Sequence, residues 1–216
     1  MKARLSALIA VVVWPLIALA QNQMPVARPA KASAPMDMTG YWVALVTEEW
    51  RFRMMTPPKG DYTRVPMTAE ARKIADTWDP AADEAAGTQT RLLHFAALPP
   101  SNQRTWQGQS KAEWERAGSG PMARPAGATA TPKSLKVVTT NMRAGYLRRN
   151  GVPYSENAVL TEYFDLAPLP GGGQVMLVTT KVEDPQYLQQ PFILSSQFKK
   201  ESDGSKWDPT PCSARW

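Results

Sequence analysis

The most constraining stretch of this 216-residue chain is "VLTEYFDLAPLPGGGQVMLVTTKV", Val159 to Val182. Two runs rich in β-branched and aromatic residues, Val159 to Leu166 and Gln174 to Val182, flank Pro168-Leu-Pro-Gly-Gly-Gly173. Each run is long enough for a strand, and the glycines supply the backbone freedom that a turn requires. The stretch is a predicted β-hairpin with a long glycine turn. Its neighbours in sequence must then extend, cap or cover a sheet.

Other segments carry the same signal. Tyr41 to Thr47, Trp50 to Met55, Gln89 to Phe95 and Ser134 to Met142 are β-rich. Phe192 to Lys200 is the last predicted strand, with Pro191 at its start, where a missing N–H is tolerated. In "GYWVALVTEEWRFRM", Gly40 to Met54, Glu48-Glu49 reads as the turn between two adjacent strands. Strand period places Arg51 and Arg53 on one face, and Trp50, Phe52 and Met54 on the other. Trp42, Ala44 and Val46 share one face of the first strand, and Tyr41, Val43 and Leu45 share the other. Both faces are apolar, which predicts cover on both sides, with a helix lying across through Ile74 and Trp78.

That helix is read from "TAEARKIADTW", where Ala71, Ile74, Ala75 and Trp78 recur at helical spacing and Thr68 can cap the start. A second short helix is expected in "DPAADEAAG", with Asp79 as N-cap and Pro80 in the first position. Residues 117–133 are a low-complexity loop. Many strands, one or two short helices and glycine turns predict a mainly β fold. It is an antiparallel, lipocalin-like barrel or half-barrel with the helix across an open end.

The start of the chain sets its address. Lys2 and Arg4 precede an apolar run, Leu5 to Leu19, that ends in Ala18-Leu-Ala20. This is the pattern of a secretory signal peptide cleaved after Ala20. A periplasmic or secreted product follows, with no stable membrane insertion after cleavage. Residues 21–38, rich in Pro and Ala, form a disordered leader, and residues 39–216 form a single β-rich domain. Loss of Lys2 and Arg4 lowers the formal net charge from +6 to +4 (6 − 2). The remaining positive charges are scattered, so no basic face for nucleic acid is present. The lone cysteine, Cys212, has no partner for an internal disulfide.

The candidate chemistries narrow quickly. His94 is the only histidine, and one His with one distant Cys cannot build a metal site. No cofactor motif occurs, and Gly171-Gly-Gly173 precedes a strand rather than the helix a phosphate cradle needs. Ser110 in "GQSKA" is a poor match to a nucleophile elbow, because Ala112 replaces its second glycine. A hydroxyl bonded to a backbone group in a turn is the simpler reading. Glu48-Glu49 and Glu183-Asp184 point to opposite faces if extended, so neither converges as an acid–base pair. Asp184-Pro185 reads as a turn opening after a strand. Glu162 shares a strand face with Leu160 and Phe164 and needs a cation, which Arg51, Arg53, Arg91 or Arg143 could supply. It is either a structural ion pair or a polar anchor for a ligand.

Four segments, in order, resemble a known group. They are "TWQGQSKAEWE" (Thr105 to Glu115), "LKVVTTNM" (Leu135 to Met142), "NGVPYSENAVLTEYF" (Asn150 to Phe164) and "VEDPQYLQQPF" (Val182 to Phe192). The series resembles a broad group of exported bacterial proteins with no established activity. Relative to that group, Arg116 to Lys133 is an insertion. A cysteine-bearing segment is missing between Gly87 and Thr88. The resemblance thus implies an incomplete barrel wall, an exposed sheet edge and a lost partner for Cys212. Gly40-Tyr41-Trp42 is also similar to the Gly-x-Trp entry of lipocalin-like barrels, which implies a small apolar ligand in the barrel mouth.

The sequence supports an exported, non-catalytic β-barrel-like domain that binds a small, partly apolar molecule. Candidate ligand-binding residues are Trp42, Arg51, Arg53, Trp106 and Glu162. A second reading is an envelope structural or interaction module that pairs through an open edge, for example as a homodimer. An envelope hydrolase comes third, because no catalytic constellation is legible. N-terminal sequencing of the exported product is expected to begin at Gln21; a product that begins at Met1 contradicts the leader.

Overall fold

The predicted hairpin forms over its whole length in the computed structural model, which describes residues 34–79, 90–98, 101, 103–116 and 132–206. Strands β7 (Val159–Pro168) and β8 (Gln174–Glu183) pair antiparallel, from Val159 opposite Glu183 to Pro168 opposite Gln174. In the turn, the Leu169 N–H donates to the Gly173 carbonyl at 3.2 Å, and the Gly172 N–H donates to the Leu169 carbonyl at 3.1 Å. Gly171, Gly172 and Gly173 all have positive φ, a run that side chains with a Cβ resist.

The hairpin sits at the centre of a seven-stranded sheet. Its other members are β1 (Tyr41–Leu45), β2 (Leu93–His94), β3 (Gln109–Arg116), β4 (Pro132–Thr140) and β9 (Phe192–Glu201). The order is β1-β9-β8-β7-β4-β3-β2. Every pair is antiparallel except β2 with β3. The sheet curls into a half-barrel, and β1 and β2 are its edges among the described residues. A short hairpin, β5 (Gly145–Arg148) with β6 (Val152–Tyr154), forms a separate two-stranded sheet. All these elements belong to the unit Pro35–Trp216. The signal peptide, most of the Pro/Ala-rich leader, the second helix expected after Asp79, the loop over 117–131 and Cys212 lie outside the described residues.

Three sequence expectations are corrected. First, Trp50 to Met55 is no strand: Trp50–Met54 forms a one-turn helix, α1. Glu49 takes a left-handed conformation (φ 53°), and its carbonyl accepts from the N–H groups of Phe52 and Arg53 at 2.8 and 3.0 Å. Arg51 and Arg53 therefore do not line a strand face. The pairing side of β1 is occupied by β9 instead, with Trp42 opposite Lys200. β-Propensity is a weak preference that tertiary contacts override. Second, β1 lies at the sheet edge rather than beneath a helix, and Tyr41 is 49% exposed. Third, of the strand expected over Gln89 to Phe95, only Leu93–His94 is strand among the described residues. Conversely, Gln109–Arg116 and the β5–β6 hairpin are strands that the sequence signals did not reveal.

The expected helix, α2 (Ala69–Asp76), forms as read, with the Thr68 hydroxyl accepting from the Ala71 N–H at 3.2 Å. Its buried face is only Ala71 and Ala75, both fully covered. Small side chains let the helix approach Val152, Val182, Leu188 and Phe192 closely, and Tyr62, Val65 and Met67 complete this core. Next to it, Gly151 (φ +83°) is in contact with the Trp78 side chain, and a Cβ at 151 would stand 2.2 Å from the Trp78 Cβ. A second core gathers Ala112, Leu135 and Val137 with Met36, Met38, Leu93, Trp114 and Phe164.

Buried polar groups fasten the loops to the sheet. Asp184 is 3% exposed, and its carboxylate accepts from the Ser155 N–H (2.6 Å), the Ser155 hydroxyl (2.8 Å) and the Gln186 N–H (3.0 Å). This is the turn acid expected at Asp184-Pro185. The Arg148 side chain is 7% exposed. It donates to the Thr63 carbonyl at 2.7 Å and to Glu49 at 3.2 Å, and it lies 3.9 Å from the Phe52 ring centre. Arg64 closes on the other oxygen of Glu49 at 2.5 Å. Burial pulls the Arg148 pKa below the usual guanidinium value, opposed by Glu49 and Asp61. A buried arginine without its carboxylate is costly, so this cluster holds α1 against β5.

Arg148→Ala is expected to lower the unfolding free energy by about 3 kcal/mol, at the low end for breaking a buried pair because Glu49 keeps Arg64. Arg51→Ala, whose side chain is 61% exposed in its pair with Asp61, is expected to cost about 0.5 kcal/mol or less. Urea midpoints at unchanged slope measure both, and equal losses would contradict the role given to Arg148.

Candidate functional site

Strand register arranges side chains in rows on the face of the sheet that carries both cores. Ser110, Thr139, Leu160, Val182 and Phe192 form the first row across β3, β4, β7, β8 and β9. The next is Ala112, Val137, Glu162, Thr180 and Leu194, followed by Trp114, Leu135, Phe164, Val178 and Ser196. Further along come Leu166, Met176, Phe198 and Ala44, and then Lys200 opposite Trp42. The opposite face carries charge ladders. Lys136 reaches Glu113 at 3.1 Å and Glu115 at 3.4 Å, and Lys181 reaches Glu183 at 2.8 Å. The hydrogen bond that Lys136 donates to Glu113 raises the Lys136 pKa above its ordinary value. Strand alternation thus puts both cores on one face and these ion-pair ladders on the other.

Glu162 is the acid in these rows, as Lys200 is the base. Its side chain is 14% exposed, between Val137 and Thr180 across the sheet and Leu160 and Phe164 along its strand. Of the four arginines that could neutralise it, Arg91 does so, through a hydrogen-bonded ion pair. The other three are engaged elsewhere. Arg51 binds Asp61 at 2.7 Å, Arg53 donates to the Leu45 carbonyl at 3.4 Å, and Arg143 donates to the Arg104 carbonyl at 3.2 Å.

Arg91 also lines a half-open cleft of about 200 Å³, with Leu92, His94, Leu98, Gln109 and Ser110 among its walls. That volume is below the roughly 300–1,000 Å³ of ordinary small-molecule sites. A ligand of that size must also use the adjoining sheet face. Ser110 is buried in β3, where its hydroxyl exchanges a 2.8 Å hydrogen bond with the Thr139 hydroxyl. This corrects the turn reading. Ser110 stands opposite Leu93, whereas the exposed His94 stands opposite Lys111, so imidazole and hydroxyl belong to alternate positions of the pairing. Among the described residues, no group of three or more His, Cys, Asp or Glu is placed to hold a metal ion.

The remaining sequence candidates are dispersed. Trp42 lies on β1, where its indole N–H donates to the Met38 carbonyl at 3.0 Å and Lys200 Nζ stands 5.5 Å from the ring centre. Trp106 precedes β3, is 56% exposed, and has the Arg143 guanidinium 5.7 Å from its ring centre. Arg51 and Arg53 sit on α1, away from any strand face. Trp42 and Glu162 therefore share the core face of the sheet, while Arg51, Arg53 and Trp106 do not belong to it. The sequence reading missed Lys200, although the alternation of Phe198 and Lys200 in the last strand carried that signal. Compared with known protein families, curated proteins and solved structures, the chain shows no match.

Arg91→Gln leaves Glu162 without its cation and is expected to destabilise the fold by about 1–3 kcal/mol. Replacing both residues, Arg91→Leu with Glu162→Leu, is expected to recover most of that loss, because the surrounding face is apolar. Thermal or urea unfolding of the single and double variants measures the difference; a double variant worse than the single one contradicts it.

Proposed function

We propose that the mature chain is an exported, non-catalytic half-barrel that binds a small, partly apolar molecule on the core face of its sheet. The observation that carries this reading is the Arg91–Glu162 pair. It places an ion pair among the apolar side chains of that face, beside a cleft open to solvent. Binding sites for small molecules combine a mainly apolar lining with a few fixed polar groups, and the face has that composition. The signal-peptide pattern supports cleavage after Ala20 and a periplasmic or secreted location. The ordered motifs of the chain support kinship with exported bacterial proteins, and Gly40-Tyr41-Trp42 supports a lipocalin-like mode of binding.

One observation favours a second reading. The edge strand β1 reads Tyr-Trp-Val-Ala-Leu, with no charge, proline or bulge to discourage pairing with another strand. An interaction module that adds a strand at this edge, in a homodimer for instance, accounts for it.

Native mass spectrometry of the chain purified without denaturant from an exporting host separates the two. A discrete extra mass that disappears on denaturation is expected. A bare dimer mass moves the assignment to the edge-pairing module, and a bare monomer mass counts against both.

A further inference from the structure

We propose that the core face takes an amphiphile with an anionic head, its carboxylate on Lys200 and its apolar chain along Phe198, Met176 and Leu166. This inference rests on the ligand-binding role just proposed for that face and names the ligand class.

The head-group assignment comes from the company Lys200 keeps. Its ammonium donates to the Gln174 side-chain carbonyl at 3.3 Å and stands 5.5 Å from the Trp42 ring centre. Both partners are neutral. Among the described residues no carboxylate forms an ion pair with Lys200. The adjacent acid, Glu201, alternates to the opposite face and pairs with Lys206 at 3.0 Å. The side chain is also positioned along its length. Gly40 has φ +115°, and a Cβ built there would stand 3.2 Å from Lys200 Cε, so the absence of a side chain at 40 gives the lysine stem its room. A lysine held by an amide oxygen and an indole, with no carboxylate partner among the described residues, is a point charge available to an anion.

The chain assignment comes from register. The row next to Lys200 and Trp42 is Phe198, Met176 and Leu166, all half-buried, ending at the exposed Ala44. Rows on one face repeat every two residues, about 6.6 Å along a strand. An alkyl chain that starts at Lys200 therefore passes this row before it reaches Val178 and Phe164. Beyond them stands Glu162, whose carboxylate already occupies Arg91, so Lys200 is the cation of these rows that has no carboxylate partner among the described residues.

Calorimetric titration of the purified protein with laurate, dodecanol and dodecyltrimethylammonium tests the assignment. Laurate is expected to bind roughly tenfold or more tightly than dodecanol, the gain of one charge-assisted hydrogen bond, with the cationic probe weakest. Lys200→Gln is expected to remove the laurate advantage over dodecanol, while Lys200→Arg keeps it. Equal binding of laurate and dodecanol by the unmodified protein, or an advantage that survives in Lys200→Gln, overturns the head-group assignment and leaves the apolar site standing. Binding of none of the three probes overturns both. If Lys200→Gln does not fold, the head-group series on the unmodified protein and on Lys200→Arg decides the matter.

Discussion

The ten-residue ladder between β7 and β8 is the constraint on which the rest of the structure depends. A slip of β7 by one residue against β8 would turn Glu162 to the opposite face and bring Tyr163 inward beside Thr180. Three consecutive glycines with positive φ close the turn and hold the register. From this ladder, β4 and β3 extend on one side and β9 and β1 on the other, each inheriting the alternation. The separation of an apolar, core-bearing face from a face of lysine–glutamate ladders is a consequence of that single register.

Around the ladder, buried polar groups do what a sheet cannot. Asp184 ends β8 and gathers backbone and hydroxyl donors from the segment before β7, so the exit of one strand is fixed to the entry of another. Arg148 joins β5 to the carbonyl of Thr63 and to Glu49, while its guanidinium covers Phe52. These residues order the loops over the first core, where Ala71, Ala75 and Gly151 permit close approach. Burial also disfavours the phenolate of Tyr62, and its hydrogen bond to Asp76 acts in the same sense, so its pKa is raised.

Legibility in the sequence followed the range of the interactions. The β7–β8 hairpin, the last strand, the Thr68-capped helix and the need of Glu162 for an arginine were all readable, because period, turn residues and caps act over a few positions. Trp50 to Met54 was misread, since its aromatic content suggested a strand while Glu49, Arg148 and Arg64 hold it as a helical turn. β3 was missed because its alternation of Gln, Lys and Glu against Ser, Ala and Trp is weakly apolar until Thr139, Val137 and Leu135 stand beside it. The candidate site was half visible. Glu162 and Trp42 were named from their strand positions, whereas Arg91 was one of four equal options and Lys200 was overlooked.

The sequence by itself determined a mainly β chain, the central hairpin, the capped helix and an acid on an apolar strand face. These follow from side-chain alternation and local backbone preference, which need no distant partner. Only the tertiary structure decided the strand order, the edge position of β1 among the described residues, the choice of Arg91 over three other arginines and the placing of Lys200 between Trp42 and Gln174. Each of those depends on which distant segments meet, and pairing between residues far apart in the chain leaves no periodic trace in either segment alone.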